Sequence, residues 1–175
     1  MLSDKRGTTL VELLVVTALF ALVGFLGIGI FLATITGSAK SKKEMELQDN
    51  ARFVMQRLSY EVKRARGLET TSDYGVNLAT TAGSTLDLDM PDVPRDPTTF
   101  AVDSGVLTIK QGSAPAVALT TNDVSITNLQ IDNRTTSNNR SKNIAVFLTV
   151  SAPDPARPGI TITYTLRSAI ELRAK

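Results

Sequence analysis

From Leu13 through Ala39 the chain carries no charged residue, and as far as Ile35 it is built mostly from Leu, Val, Ile, Phe, Ala and Gly. About 20 such residues in a helix cross a bilayer core, so this stretch restricts the fold more than anything that follows it. Glu12 stands at its edge, in Arg6-Gly7-Thr8-Thr9-Leu10-Val11-Glu12-Leu13-Leu14-Val15-Val16. An ionisable group in a membrane span costs about 2.5–3.5 kcal/mol at mid-bilayer, and such a group is by default a functional candidate. The plainer alternative is a carboxylate resting at the membrane interface.

The flanking residues favour a functional Glu12. A short polar segment with Lys5 and Arg6, then Gly7, two hydroxyl residues and an aliphatic pair before the acid resembles the class III signal of type IV prepilins and pseudopilins. The resemblance covers about the first third of the chain. It implies that a prepilin peptidase cuts after Gly7 and methylates the new N-terminus at Thr8, leaving Glu12 as the fifth mature residue. The family usually begins its mature chain with Phe or Met, and Thr8 departs from that pattern. A conventional secretory signal would be cut after the apolar region and would discard it. The small residues from Ala33 to Ala39 leave that route open, but it accounts for neither Glu12 nor the sequence beyond.

The resemblance also implies a single-pass protein of the inner (cytoplasmic) membrane, with its N-terminus cytoplasmic and its C-terminal domain extracytoplasmic. Counting charges points the other way. Lys40, Lys42 and Lys43 outnumber Lys5 and Arg6, and the positive-inside rule places the richer flank in the cytoplasm. Glu44 and Glu46 lie among those lysines in a pattern of helical charge pairing, so the motif is taken over the count.

Beyond the span a helical pattern continues. Leu47, Ala51, Val54, Leu58, Val62 and Ala65 recur at the three- and four-residue spacing of one apolar stripe. No Gly or Pro interrupts Ser41 to Arg66, and Gly67 follows Lys63, Arg64 and Arg66 as a C-terminal stop. One helix from about Thr8 to Arg66 is expected, on the order of 90 Å long. Its second half must bury the stripe outside the bilayer. The segment Asp49 to Leu58 and the run Glu61-Val62-Lys63-Arg64-Ala65 are similar to the corresponding helix of J-type minor pseudopilins and W-type minor pilins. On that resemblance Arg52, Arg57 and Arg64 would contact neighbouring subunits, whereas charges at helical spacing are otherwise a solvated face.

After Gly67 short alternating runs take over. Leu86, Leu88 and Met90 alternate with Thr85, Asp87 and Asp89; Val106 to Ile109 follows a Gly turn; Val117 with Leu119 and Val124 with Ile126 keep a period of two. Ile144 to Val150 is largely apolar, and Ile160, Ile162, Tyr164, Leu166, Ile170 and Leu172 form the longest alternation. These read as half-buried antiparallel strands, with loops at Thr135–Asn143 and Ala152–Gly159. The expected fold class is therefore α+β and pilin-like: a leader at 1–7, a transmembrane and assembly half at 8–39, an amphipathic extracytoplasmic half at 40–67 and a β-rich domain at 68–175.

The chain contains neither His nor Cys, which removes Ser-His-Asp and Cys-His chemistry and all His-based metal sites. No catalytic residue, cofactor site or metal site is assigned. Asp87, Asp89, Asp92 and Asp96 are the densest acids; oxygen ligation of a hard cation is conceivable there, but they read as an outward strand face followed by an exposed turn at Pro91 and Pro94. Nucleic acid is a poor candidate partner, because the net charge is only +2 and the aromatics are not interleaved with basic residues.

The expected partners are prepilin peptidase, other pilin or pseudopilin subunits, membrane lipid before assembly and, indirectly, an inner-membrane platform with a cytoplasmic ATPase. The functional expectation is a prepilin-like structural subunit, minor rather than major, of a type IV or competence pilus or a type II secretion pseudopilus. Its rival is a monomeric, single-span anchored protein with an extracytoplasmic β-rich binding domain.

Overall fold

A computed structural model describes residues 9–135 and 142–172. Helix α1 runs unbroken over Leu10–Arg64. Thr9 caps it in extended conformation, and its hydroxyl accepts a hydrogen bond from the Glu12 N–H at 3.3 Å. Gly24, Gly27 and Gly29 do not interrupt the helix, and a Cβ built at any of them meets nothing within 4 Å. Hydroxyls in the apolar stretch turn back on their own helix: Thr17 donates to the Leu13 carbonyl at 2.9 Å and Thr34 to that of Ile30 at 2.9 Å. Such back-bonding leaves no hydroxyl to be solvated by hydrocarbon.

The expected glycine stop is corrected. The helix ends at Ala65, whose φ of −64° and ψ of 147° are extended, and Gly67 instead opens strand β1 (Gly67–Leu68). The cause is competition from the sheet. The Arg66 N–H donates to the Asp89 carbonyl at 2.8 Å, and β1 continues that pairing along β2 (Thr85–Asp89).

Two antiparallel sheets follow. The first is a meander in the order β1, β2, β3 (Thr98–Asp103), β4 (Val106–Gln111) and β5 (Val117–Ala118). The β3–β4 hairpin turns through Ser104 and Gly105, with φ of 51° and 81°, the positive pair that a tight two-residue turn requires. A Cβ at Gly105 would press on the Ser125 hydroxyl, which would have to rotate away. The second sheet consists of β6 (Ser125–Asn133), β7 (Asn143–Pro153) and β8 (Thr161–Glu171). The loop expected from Ala152 therefore begins later, after Pro153. Most of the other expected loop, residues 136–141, lies outside the described residues.

Helix α1 packs on β7 and β8, giving an α+β architecture with one long N-terminal helix against an antiparallel sheet domain. The helix stripe is fully engaged: Leu47, Ala51, Val54, Leu58, Val62 and Ala65 are all buried. They join Leu129 and Ile131 of β6, and Ile144, Val146, Leu148 and Val150 of β7, in one core that also takes in Leu86, Leu88 and Phe100 of the first sheet. The period-two reading of Leu86, Leu88 and Met90 is matched by their burial, but Asp87 is a correction. It is buried rather than outward-facing, because the Thr71–Ser72 segment folds over it. Its carboxylate accepts from the Thr71 and Thr85 hydroxyls at 2.8 and 3.0 Å.

Candidate functional site

The apolar half of α1 is the first candidate. Its membrane-length window has none of its residues buried within the chain, and Leu19, Phe20, Leu22, Val23, Phe25, Leu26, Ile28 and Phe31 are each more than half exposed. One helix is thus long and apolar enough to span a membrane. In water so much apolar surface would be strongly unfavourable, at about 25 cal/mol per Å²; its stable environment is lipid or a bundle of like helices.

Glu12 lies in the first turn of that helix and is exposed, and no cation among the described residues pairs with its carboxylate. Gly7 and Thr8 lie outside the described residues, so the spatial relation of Glu12 to the expected cleavage site is not described. A local role for Glu12 is visible, however. Thr9-Leu10-Val11-Glu12 has the Thr-x-x-Glu spacing of a capping box, and one arm of it, the Thr9 hydroxyl accepting from the Glu12 N–H, is formed. The carboxylate also complements the positive end of the helix dipole. This spacing is readable in the sequence and supplies a structural reason for an acid at this position.

The second constellation joins helix to sheet. Glu61 is completely buried, and one carboxylate oxygen accepts from Arg57 at 2.8 Å and from Arg95 at 3.1 Å. Arg95 belongs to a short 3-10 turn, Val93–Arg95, between β2 and β3, so the charge cluster ties α1 to the first sheet. The other Glu61 oxygen and Arg57 Nε are buried without a hydrogen-bond partner among the described residues. In the sequence Glu61 belongs to the run that resembles minor pseudopilins and carries no site role of its own; the local signal for its burial is an acid on the helical stripe between Leu58 and Val62.

Of the three arginines expected to contact neighbouring subunits, two are occupied within the chain. Arg57 binds Glu61. Arg64 pairs with Asp92 at 3.1 Å and stacks on Tyr60, its guanidinium 5.2 Å from the ring centroid. The Tyr60 hydroxyl and Asp92 hold the Arg64 pKa above its ordinary value. Arg52 is exposed and has no ion pair among the described residues. The expected helical charge pairs form, with Lys40 to Glu44 at 3.7 Å and Lys43 to Glu46 at 2.9 Å.

The acids singled out from the sequence do not assemble as a group. Asp89 and Asp96 meet Glu69, with carboxylate oxygens within 4.8 Å of one another, while Asp87 is consumed by hydroxyls and Asp92 by Arg64. Asp96 is further committed, accepting from the Met90 N–H at 2.9 Å. An open groove of 410 Å³ lies between the loop at 78–84 with the start of β2 and the end of β3. Its one charged lining residue is Asp103, so the groove brings together no acid–base pair.

Comparison of the chain with protein-family models, with curated proteins and with solved structures returns no match. The architecture is a membrane-anchorable helix carrying a β-rich domain, consistent in general terms with a pilin-like fold.

Proposed function

We propose that this chain is a single-span membrane protein that holds a β-rich structural or binding domain at the bilayer surface. The observation that carries this reading is the contrast along α1: an uncharged, wholly exposed segment continues without a break into a segment buried in the domain. A rigid connection of that kind fixes the position of the domain relative to the membrane.

The narrower reading is a prepilin-like subunit, and it rests on the Gly7, Thr8 and Glu12 pattern. Cleavage after Gly7 would create a cationic amine at Thr8. In a filament of apolar helices an unpaired carboxylate is costly; pairing Glu12 with the Thr8 amine of a neighbouring subunit removes that cost and sets the axial register. The chain has no phosphate-binding glycine loop, so extraction from the bilayer would draw on an assembly platform and its ATPase. The domain would then be extracytoplasmic. The plain anchor is favoured by the Thr9–Glu12 cap, which accounts for the acid without any partner.

Intact-mass and N-terminal peptide analysis of membrane-extracted protein, with and without prepilin peptidase, tests the division. A chain that begins at Thr8 only when the peptidase is present supports the subunit. A chain that keeps Met1 in both hosts leaves the anchor. Glu12→Gln sharpens the result, because glutamine can serve in a capping box but cannot neutralise an amine. Loss of assembly with the helix intact supports pairing, and full assembly of the variant refutes it.

A further inference from the structure

The sheet edges of this domain are treated unequally. β1 and β5, which end the first sheet, are two residues each. The outer edge of β6 is covered: the Gly75 N–H donates to the Ile131 carbonyl and the Leu78 N–H to the Leu129 carbonyl, both at 2.9 Å, while the Asn77 side chain bonds Leu129 and Thr127. A register shift between Ile126 and Asn128 distorts the same strand. Among the described residues β8 has none of these protections. It spans Thr161–Glu171, pairs in continuous register with β7 alone and contains no Pro, Lys or bulge. Between Thr161 and Ile170 its backbone bonds no other described segment. Long bare edges invite a further strand and are normally blocked.

The side chains repeat the pattern. On the helix-facing side, Ile144, Val146, Leu148 and Val150 of β7 are buried, whereas Ile162, Tyr164 and Leu166 of β8, packed beside the same core, stay half-exposed. The row lacks its outer neighbour. The opposite side presents Thr161, Thr163, Thr165 and Arg167 to solvent, and the Arg167 guanidinium lies 5.3 Å from the centroid of the Phe147 ring.

We propose that β8 is a docking edge for strand addition by an extended segment of another polypeptide, aliphatic at alternate positions and bearing a carboxylate near Arg167. Main-chain hydrogen bonds would supply affinity, and the alternating row would supply register. Aliphatic residues complete the cover over Ile162, Tyr164 and Leu166, and the carboxylate answers the one cation on the outer face. Antiparallel pairing with the β8 of a second copy does not suit the edge. Antiparallel pairing of β8 with itself places a two-fold axis perpendicular to the sheet, and that axis reverses the direction of α1. Two helices pointing opposite ways cannot anchor both copies in one membrane. This choice of occupant rests on the single-span reading; the openness of the edge does not.

The test uses the full chain in lipid nanodiscs, with amide exchange read residue by residue by NMR. The probes are a synthetic peptide alternating valine with threonine and glutamate, a control of equal composition with contiguous valines, and a lysine-for-glutamate analogue. In the free protein, alternate β8 amides should exchange fast, and the alternating peptide should protect them while the control does not. Affinity should favour glutamate over lysine by about twofold to fivefold, and Arg167→Glu should invert that order. Uniformly slow β8 amides in the free chain, or equal binding of alternating and contiguous peptides, overturns the proposal. Protection that grows with protein concentration in the absence of peptide overturns the occupant in favour of a second copy. Liposome flotation of the same preparation tests anchoring separately, so failure of the single-span reading is told apart from failure of the edge.

Discussion

Helix α1 has two halves of similar regularity and opposite circumstance. From Leu10 to Ser38 nothing among the described residues covers it; from Leu47 onward every residue of its apolar stripe is buried against the sheets. The second half obtains its stability from tertiary packing, as most protein helices do. The first half obtains none from this chain, and its backbone regularity marks a segment suited to a solvent other than water. Helix continuity and helix support are therefore separate properties, and each can be perturbed without the other.

The largest separation should come from the buried half. Removing one member of a buried ion pair costs roughly 3–5 kcal/mol because the remaining charge is stranded. Glu61→Ala, which strands Arg57 and Arg95, should lower domain stability toward the lower end of that range, since both guanidinium groups are partly exposed. Leu58→Ala should cost about 2–5 kcal/mol by opening a cavity. Urea unfolding in detergent would read both losses, while liposome flotation should not change. If flotation fell together with stability, the halves would not be independent. Replacing Arg57, Glu61 and Arg95 together by apolar residues should recover most of the Glu61→Ala loss, because no charge is then left unpaired.

The converse perturbation is Val23→Lys. Val23 is 66% exposed in the middle of the apolar run, so the substitution removes no packing against the domain. A lysine there costs about 3 kcal/mol on insertion. Membrane partitioning should drop markedly with the urea midpoint of the domain unchanged. A shifted midpoint would mean that the apolar half supports the domain after all. A smaller effect is expected for Gly24→Ala, Gly27→Ala and Gly29→Ala combined. An added Cβ meets nothing within 4 Å at any of the three, so domain stability should stay the same. If these glycines give the helix flexibility as it leaves the bilayer, assembly should fall, and undiminished assembly would remove that role from them.

Periodicity carried most of the fold. The stripe from Leu47 to Ala65 and the alternation from Ile162 to Ile170 were legible because each element buries one face, and burial of one face is what imprints a period on sequence. The meander was legible only in part. β3, Thr98–Asp103, went unread because Thr98, Thr99 and Ala101 interrupt the apolar signal, although Thr98 is fully buried with its hydroxyl donated to the Arg95 carbonyl at 2.8 Å. Asp87 misled because an acid in an alternating strand reads as solvent-facing, whereas here a neighbouring segment supplies hydroxyl donors. The Glu61 cluster was hidden for a related reason: Arg95 lies 34 residues away in sequence, and no local pattern announces such a partner. At the N-terminus one acid fits two readings: Glu12 closes a Thr-x-x-Glu helix cap with Thr9, and it also ends the Gly7-to-Glu12 spacing that resembles a prepilin signal.

The smallest effect concerns Tyr74, which packs at the margin of the core in the segment leading to the cover of β6. Burial raises the pKa of its phenol, an effect partly offset by the Ser72 hydroxyl. The phenol oxygen itself has no hydrogen bond of normal geometry among the described residues. The folded state therefore prefers the neutral phenol more strongly than the unfolded chain does. Below the unfolded value of about 10 both states are protonated and that preference is fully present; as pH rises from there through the higher folded value, the unfolded state loses its proton first and stability falls. Tyr74→Phe should be neutral or slightly stabilising at pH 7, by less than about 1 kcal/mol, because an unpaired buried hydroxyl is removed. Above pH 10 the variant should lose less stability than the parent. Urea midpoints of the two proteins at pH 7 and above pH 10 measure the difference directly. Parallel losses would show that the Tyr74 segment opens to solvent in the native state, which would place the cover of β6 with the mobile parts of the domain and narrow its contrast with the bare edge of β8.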